Sequence, residues 1–192
     1  SLSKEYFLKL NIKSKEYEFY NMAGINVGVF DLCVVNENLL FACGKGNTLS
    51  GGSGHDMIFK STDAGKTWKN VLDFFSDNNK FIEHRIPPYG LQQIDFKDSL
   101  TGVAVGQFSK ILYTYDGGVS WTYEDDLPKA LKDESSPTMK VRYIGDTPII
   151  NLMGGAVLRL KEEDLKPTEE HKYSISGRVW DGDKGIPSVA VV

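Results

Sequence analysis

Short apolar stretches separated by polar turn residues dominate the hydrophobic pattern of this chain. Alternation over residues 6–11 and 16–20 predicts one hairpin, and the apolar runs 27–35 and 39–43 predict a second. The same criteria predict further strands at 57–61, 67–72, 91–96, 102–106, 110–114, 120–123, 141–144, 149–153, 156–160, 174–180 and 186–192. No amphipathic stretch of about 12 or more residues indicates a helix. The pattern therefore predicts an all-β fold.

Two segments of the chain repeat one another. Residues 58–68 and 111–121 share the pattern (Ser/Thr)-x-Asp-x-Gly-x-(Thr/Ser)-Trp, and the upstream apolar runs 40–44 and 102–106 both end in glycine. From that glycine to the aspartate the distance is 19 residues in the first copy and 10 in the second, because a Gly/Ser-rich segment lies in 44–54. Without the extra residues, the repeat is close to the roughly 40–45 residues of a four-stranded propeller blade.

The residue types of the shared pattern suit a self-contained turn between strands. The glycine can take a positive φ, and the aspartate can accept backbone N–H groups within the turn. The following hydroxyl adds a local hydrogen bond, and the tryptophan packs back onto the sheet. These roles favour structure over catalysis for Ser61, Asp63, Gly65, Thr67, Trp68, Thr114, Asp116, Gly118, Ser120 and Trp121.

The two segments resemble the Asp-box, also called the bacterial-neuraminidase repeat, of sialidases, sortilin-type receptors, some endoglucanases and photosystem-assembly propeller factors. The resemblance covers roughly residues 28–124 and implies a propeller in which the motif joins the third and fourth strands of a blade. A degenerate third copy at 149–160 keeps the strands and the glycine but lacks the Asp-x-Gly-x-Thr-Trp part. We expect a partial β-propeller of about three four-stranded blades in 28–162, with the hairpin in 1–27 as part of a preceding blade.

The C-terminal residues follow a different pattern. A charged stretch around Pro167 predicts a linker over 163–172. Residues 173–192 contain Ile-x-Gly-x-Val, an Asp/Gly turn and Gly-x-Pro, and they resemble the opening of carboxypeptidase-regulatory-like β-sandwich domains. The resemblance implies that most of that sandwich lies beyond Val192. Together with a start at Ser1, it indicates a fragment of a larger modular protein.

Composition narrows the classes of function. The 192 residues are 41% hydrophobic and 25% charged, as in ordinary globular domains, and the net charge of −4 argues against binding nucleic acid through its phosphates. No run of about 18 apolar residues predicts a membrane span. His55, His84 and His171 lack the spacing of metal ligands, so neither a metal nor another cofactor is expected. Cys33 and Cys43 would form a disulfide only if they were opposite in register, and two buried thiols are favoured.

Candidate ligand contacts are few. Lys45 and Asn47 belong to the Gly/Ser-rich insertion, a typical place for ligand contact in repeat proteins, and Tyr115 is a candidate exposed aromatic. Arg85 lies in a segment that resembles the Arg-Ile-Pro signature of sialidases, although here the segment falls between the two motifs instead of before them. Sialidases hold the substrate carboxylate with three arginines, and the remaining arginines of this chain are Arg142, Arg159 and Arg178.

The sequence therefore favours a non-catalytic, extracellular or surface-associated module that binds or assembles with a protein or glycan partner. Three blades leave open sheet edges, which an association between chains would cover. One alternative is an enzyme, a fragment of a sialidase-like glycoside hydrolase, and another is a structural virion or fibre component. A secreted, bacterial cell-surface or virion location is expected, although this chain contains no signal peptide.

Overall fold

The computed structural model describes residues 6–21, 27–46, 55–72, 90–107, 110–124, 140–151, 157–159, 180–181 and 184–185. All regular elements in these ranges are strands. In chain order they are β1 (Tyr6–Leu10), β2 (Tyr17–Asn21), β3 (Val27–Val34), β4 (Leu40–Gly46), β5 (Asp56–Ser61), β6 (Lys69–Asn70), β7 (Leu91–Phe96), β8 (Gly102–Gly106), β9 (Ile111–Thr114), β10 (Thr122–Tyr123), β11 (Lys140–Ile144), β12 (Thr147–Asn151), β13 (Val157–Arg159), β14 (Trp180–Asp181) and β15 (Lys184–Gly185).

The strands form consecutive antiparallel sheets. Two have four strands, β3-β4-β5-β6 and β7-β8-β9-β10, and we name them blade 1 and blade 2. The sheet β11-β12-β13, named blade 3, has three strands within the described residues. The hairpins β1-β2 and β14-β15 form separate ladders. The predicted all-β fold is confirmed, and so are both N-terminal hairpins. The predicted linker at 163–172 and the strands predicted at 174–179 and 186–192 lie outside the described residues.

Blades 1 and 2 share the same strand pairing, including a β-bulge at the same place in their first strands. Each first strand has a bulge, between Val29 and Asp31 in β3 and between Leu91 and Gln93 in β7. Beside each bulge the second strand carries the glycine that ends the upstream run. A Cβ at Gly44 would lie 2.2 Å from the carbonyl oxygen of Gly28, and one at Gly106 would lie 2.0 Å from that of Gly90. The repeated glycine is therefore required because two backbones approach closely there.

The main hydrophobic core lies between blades 1 and 2. We call the side of a blade that faces the preceding blade its near face and the opposite side its far face. The far face of blade 1 packs on the near face of blade 2, and the rings of Phe41 and Phe96 stack with centroids 3.7 Å apart. Trp121 meets Phe96 edge-on at 6.1 Å. The buried side chains of this core include Cys33, Phe41, Cys43, Ile58, Ile94, Phe96, Ala104, Leu112 and Trp121.

The two cysteines are free thiols in that core. Cys33 is opposite Phe41 and Cys43 is opposite Asp31, so the register does not pair them. The prediction of two buried thiols is confirmed. Burial raises the pKa of Cys33 to about 12 and also raises the pKa of Cys43, which makes both thiols poor nucleophiles at neutral pH.

One ion pair is enclosed between the blades. The ammonium of Lys110, just before β9, bonds to the Asp56 carboxylate at the start of β5, and both side chains are fully buried. The second oxygen of Asp56 accepts the backbone N–H of Leu91 at 2.9 Å. Burial raises the pKa of Asp56 and lowers the pKa of Lys110, while the attraction between the two groups opposes both shifts. The pair fixes one end of blade 1 against the same end of blade 2.

Removing one partner of this pair is expected to be costly. Lys110→Met leaves an unpaired buried carboxylate and should lower the free energy of unfolding by about 3–5 kcal/mol. The double variant Asp56→Asn/Lys110→Met should lose less than the sum of the two single variants, because no charge remains and the asparagine still accepts the Leu91 N–H. Urea unfolding of the parent, the two single variants and the double variant measures this coupling.

A matched control is Lys97→Met, whose partner Asp146 is exposed. Its free energy of unfolding should change by no more than about 0.5 kcal/mol. Additive losses would contradict the expectation.

Candidate functional site

The two repeated segments form turns in which the Ser/Thr, Asp and Gly positions make the same hydrogen bonds. In the first turn, residues 61–68, Ser61 Oγ donates to Asp63 Oδ1 at 2.8 Å and accepts from Gly65 N at 2.9 Å. Thr67 donates its backbone N–H and its hydroxyl to the Asp63 carboxylate, at 2.8 and 2.6 Å. The indole N–H of Trp68 donates to the carbonyl of Gly65 at 3.0 Å. The turn joins the third and fourth strands of blade 1.

The second turn, residues 114–121, repeats this arrangement in blade 2. Thr114 Oγ1 donates to Asp116 Oδ1 at 2.8 Å and accepts from Gly118 N at 3.0 Å. Ser120 donates its hydroxyl to Asp116 Oδ2 at 2.6 Å and its backbone N–H to Oδ1 at 2.9 Å. The same polar atoms therefore hold both turns, although the segments preceding them differ in length.

The backbone of both turns is left-handed at two successive residues. The φ angles are 61° at Ala64 and 87° at Gly65, and 69° at Gly117 and 83° at Gly118. The positive φ expected of the motif glycine is confirmed. The residue before it also takes a positive φ, which costs little for Gly117 but strains Ala64.

Each turn is also tied to the first hairpin of its own blade. Ala64 N donates to the carbonyl of Asn38 at 3.0 Å, and Gly117 N donates to that of Leu100 at 2.8 Å. Those hairpins are closed alike, since the side-chain oxygens of Asn36 and Asp98 accept backbone N–H groups two and three residues on. Sequence reasoning missed this second repeat. Its signal in the sequence is the pair Asn36 and Asp98, two turn-forming residues that are 62 positions apart. Gly44 and Gly106 are separated by the same number of positions.

The local hydrogen bonds keep both turn carboxylates ionised. Donation by Thr67, first from its hydroxyl and then from its backbone, lowers the pKa of Asp63 to about 2. Partial burial would raise the pKa of Asp116, but hydrogen bonds from Ser120 and Thr114 outweigh it and the pKa is lowered. A carboxylate with such a pKa is a constant acceptor near neutral pH and a poor general acid or base.

The tryptophans of the two turns differ in burial. Trp121 is 2% exposed because it packs against Phe96 between the blades. Trp68 is only partly buried and packs beside Ala42 and Phe59 on the near face of blade 1. The two tryptophans therefore differ in burial because blade 1 packs over Trp121, and not because the two turns differ.

The candidate ligand contacts do not form one site. Lys45 is the penultimate residue of the second strand of blade 1 and is opposite Asp56 at the start of the third strand. Tyr115 follows the third strand of blade 2, at the end that carries the turns, and its ring meets Tyr113 at 5.7 Å. Because the blades pack with like ends together, these two residues lie at opposite ends of the sheets. Asn47 and Arg85 lie outside the described residues.

Two of the four arginines lie in register on blade 3. Arg142 and Arg159 both pair with Ile149, one on each side, so they share a face of the sheet. The Arg142 guanidinium lies 3.5 Å from the Asp31 carboxylate of blade 1. Arg85 and Arg178 lie outside the described residues, so three convergent arginines are not seen in the described part of the chain.

Polar side chains on the first strands link successive blades, and sequence reasoning missed them. Asp31 of blade 1 accepts the Ile94 N–H of blade 2 at 3.1 Å. Gln93 stands at the repeated position in blade 2 and accepts the Val141 N–H of blade 3 at 3.2 Å. Asp95 accepts the Tyr143 N–H of blade 3 at 2.6 Å. The only sequence signal is a polar residue at the same place in two apolar strands.

Within the described residues, no group of three or more His, Cys, Asp or Glu side chains is arranged to hold a metal ion. The same residues include no helix long and apolar enough to cross a membrane.

The architecture resembles that of two solved propeller structures. YCF48 from Cyanidioschyzon merolae superposes with a TM-score of 0.55 at 11% identity, over 83% of this chain and 45% of that chain. YCF48 bound to a D1 peptide superposes with a TM-score of 0.51 at 19% identity, over 71% of this chain and 38% of that chain. At these identities the likeness concerns the fold alone. Together with the consecutive four-stranded sheets, it defines the chain as a partial β-propeller that spans less than half of either structure.

Similarity to curated proteins is more limited. Over 112 residues the chain is 30% identical to the ribosome biogenesis protein YTM1 of Saccharomyces cerevisiae. The match covers 55% of this chain and 24% of that protein, so the chain spans about a quarter of this relative. No family model matches the chain.

The acid sensitivity of the fold should depend on Asp63. Its pKa lies below the unfolded value of about 3.9, so the unfolded chain takes up a proton first as the pH falls. The stability that the carboxylate contributes is complete above about pH 5 and is lost as the pH falls through about 2. Asp63→Asn should lower the urea midpoint at pH 7, and the difference from the parent should shrink toward pH 2. Asp146→Asn, in an exposed hairpin, is the control; a difference independent of pH would contradict the assignment.

The left-handed residue before the motif glycine gives a matched pair of substitutions. Ala64→Gly relieves a positive φ and should raise the free energy of unfolding by about 0.5–1 kcal/mol, net of the extra chain entropy of glycine. Gly117→Ala should lower it by about 1–3 kcal/mol, because the new Cβ would have a positive φ and lie 2.8 Å from the Ser99 carbonyl oxygen. Thermal and urea unfolding measure both changes. A lower free energy of unfolding in Ala64→Gly would contradict the assignment of backbone strain to Ala64.

Proposed function

We propose that this chain is a non-catalytic binding or assembly module built from β-propeller blades, with a protein as its partner. The main support for the proposal is that four charged side chains with shifted pKa values make hydrogen bonds or an ion pair within the fold. Asp63 and Asp116 use their carboxylates inside turns, and Asp56 and Lys110 pair between blades. Groups with shifted pKa values often mark catalytic sites, but these four are engaged in holding the fold.

We further infer that the two turns are Asp-boxes. The hydrogen bonds shared by the Ser/Thr, Asp and Gly positions support this, as does the position of both turns between the third and fourth strands of a blade. In this interpretation the repeated carboxylates shape the ends of the blades, and the surface that meets a partner is formed by other residues.

The solved structures support a protein partner. One of them is YCF48 with a bound D1 peptide, and its fold is similar to that of this chain. Propellers host both enzymes and binding proteins, so the fold alone does not decide between them. A glycan partner, a place outside the cell and a part in a virion stay predictions from the sequence.

Selection of peptides on the purified chain tests the proposed function. Phage display followed by calorimetry should yield extended peptides that bind with a Kd of about micromolar or tighter. Because Lys45 and Tyr115 lie at opposite ends of the sheets, loss of binding in only one of Lys45→Ala and Tyr115→Ala locates the partner. Lys13→Ala in the N-terminal hairpin is the control. Hydrolysis of a fluorogenic sialoside by the chain, or binding to a glycan array without any peptide binding, would overturn the proposal.

A further inference from the structure

The first strands of blades 1 and 2 carry hydrogen-bond acceptors at repeated positions on their far faces. Asp31 accepts a backbone N–H of blade 2, and Gln93 and Asp95 each accept a backbone N–H of blade 3. Asp31 and Gln93 are 62 positions apart, and each directly follows the β-bulge of its strand. These positions of a first strand therefore serve to join consecutive blades.

Blade 3 has cations where blade 2 has these acceptors. Lys140 takes the place of Gln93, because each directly precedes the residue whose N–H is bound by the preceding blade. Arg142, two residues further on, takes the place of Asp95. Lysine and arginine side chains have donors and no acceptor. Blade 3 thus departs from the repeat with side chains of the opposite hydrogen-bonding character, which suits an anionic ligand.

A third cation lies on the same face of blade 3. Arg142 and Arg159 are both opposite Ile149, in the strands on either side, so the three residues share one face. Lys140 is two residues before Arg142 in β11 and shares that face too. The intervening Val141 is fully buried, whereas all three cations are exposed. None of the described strand residues on this far face is acidic.

These cations have donors left for a ligand. The side chain of Arg142 is 58% exposed. Its contacts with described residues, the Val141 carbonyl at 2.8 Å and the Asp31 carboxylate at 3.5 Å, both use Nη1. The Nε and Nη2 donors of the guanidinium can therefore bind an anion. Within the described ranges, Lys140 and Arg159 take part in no ion pair.

The spacing of the cations matches that of side chains on an extended peptide. Lys140 and Arg142 are two residues apart in a strand, which is about 7 Å. Side chains two residues apart in an extended peptide also project to one side at about this spacing. Arginine binds a carboxylate through two parallel N–H groups. Arg159, about 10 Å from Arg142 across the sheet, is placed to bind a further carboxylate.

We propose that the far face of blade 3 is the docking surface for an extended acidic segment of a protein partner, whose carboxylates two residues apart pair with Lys140 and Arg142. The complementary charge identifies the occupant, and Ile149 between the two arginines offers it an apolar contact. The net charge of the whole chain is −4, so this surface is not the result of a generally basic protein. The inference rests on the proposed function for its protein partner and adds the place and the chemistry.

Fluorescence anisotropy with a labelled peptide of alternating glutamate and serine tests this surface. The probe for comparison is the same peptide with glutamine in place of glutamate. At low salt, the purified chain should bind the glutamate peptide about tenfold more tightly, or better, than the glutamine peptide. Equal binding of the two peptides would overturn the proposal.

Charge reversal locates the binding on the molecule. Arg142→Glu and Arg159→Glu should each raise the Kd of the glutamate peptide by about tenfold. Lys13→Glu makes the same change of charge in the exposed turn of the N-terminal hairpin, and it should raise the Kd by less than about twofold. Urea unfolding checks that the variants are folded. Arg159→Glu keeps the test decisive if loss of the Asp31 contact destabilises Arg142→Glu, and equal effects of all three variants would contradict the assigned surface.

The outcome also separates this inference from the proposed function. Peptides that depend on Lys45 or Tyr115 and bind Arg142→Glu as tightly as the parent would refute the inference and leave the proposed function standing. Failure of every peptide to bind would count against both. An oligonucleotide that binds through the same arginines more tightly than the glutamate peptide would assign a nucleic acid to this face, and the proposal would be wrong.

Acidic residues of the chain itself are the remaining competitor for this face. Glu162, Glu163 and Asp164 follow Arg159 closely in the sequence. The triple variant Glu162→Gln/Glu163→Gln/Asp164→Asn should bind the glutamate peptide with the same Kd as the parent. Binding that is absent in the parent and present in this variant would show that the chain occupies its own surface, and it would rule out a partner as the occupant.

Discussion

The packing of blade 1 on blade 2 is the contact on which the rest of the structure depends. Phe41 and Phe96 stack at its centre, and the burial of each such side chain contributes roughly 1.5–3 kcal/mol. Apolar contact alone does not set the register of two sheets, since it has no directional preference. Asp31 and Asp56 supply the direction, because each accepts a backbone N–H of blade 2. The core and these acceptors together fix the position of blade 1 and its turn relative to blade 2 and its turn.

The turns stay alike although the strands that lead to them are joined differently. The additional residues of blade 1 lie between its second and third strands, at the end of the sheet opposite the first turn. Each turn is closed by bonds among its own residues and by one bond to the adjacent hairpin, so a longer loop at the other end leaves it unchanged. This separation explains how a repeat can vary in length and still present the same ends.

Several charged side chains of this molecule stabilise its fold and are not available to a partner. The repeated carboxylates of Asp63 and Asp116 are acceptors within turns, and the buried ion pair fixes one blade against another. Side chains that can meet a partner are of another kind, such as the exposed apolar residues Leu32 and Val34 of blade 1 and the arginines of blade 3. Binding to another macromolecule requires such side chains and no reactive group, in keeping with the proposed function.

The sequence by itself determined the strands, both N-terminal hairpins and the positive φ at Gly65 and Gly118. Each of these depends on residues only a few positions apart, and such local preferences are visible in a single sequence. The tertiary structure alone decided the pairing of Lys110 with Asp56, 54 residues away, and of Asp31 with the Ile94 N–H, 63 residues away. It also separated Lys45 from Tyr115, which the sequence treated as candidates for the same purpose. Contacts between blades depend on which faces meet and in what register, and those follow from the packing of whole sheets, which no local pattern of residues specifies.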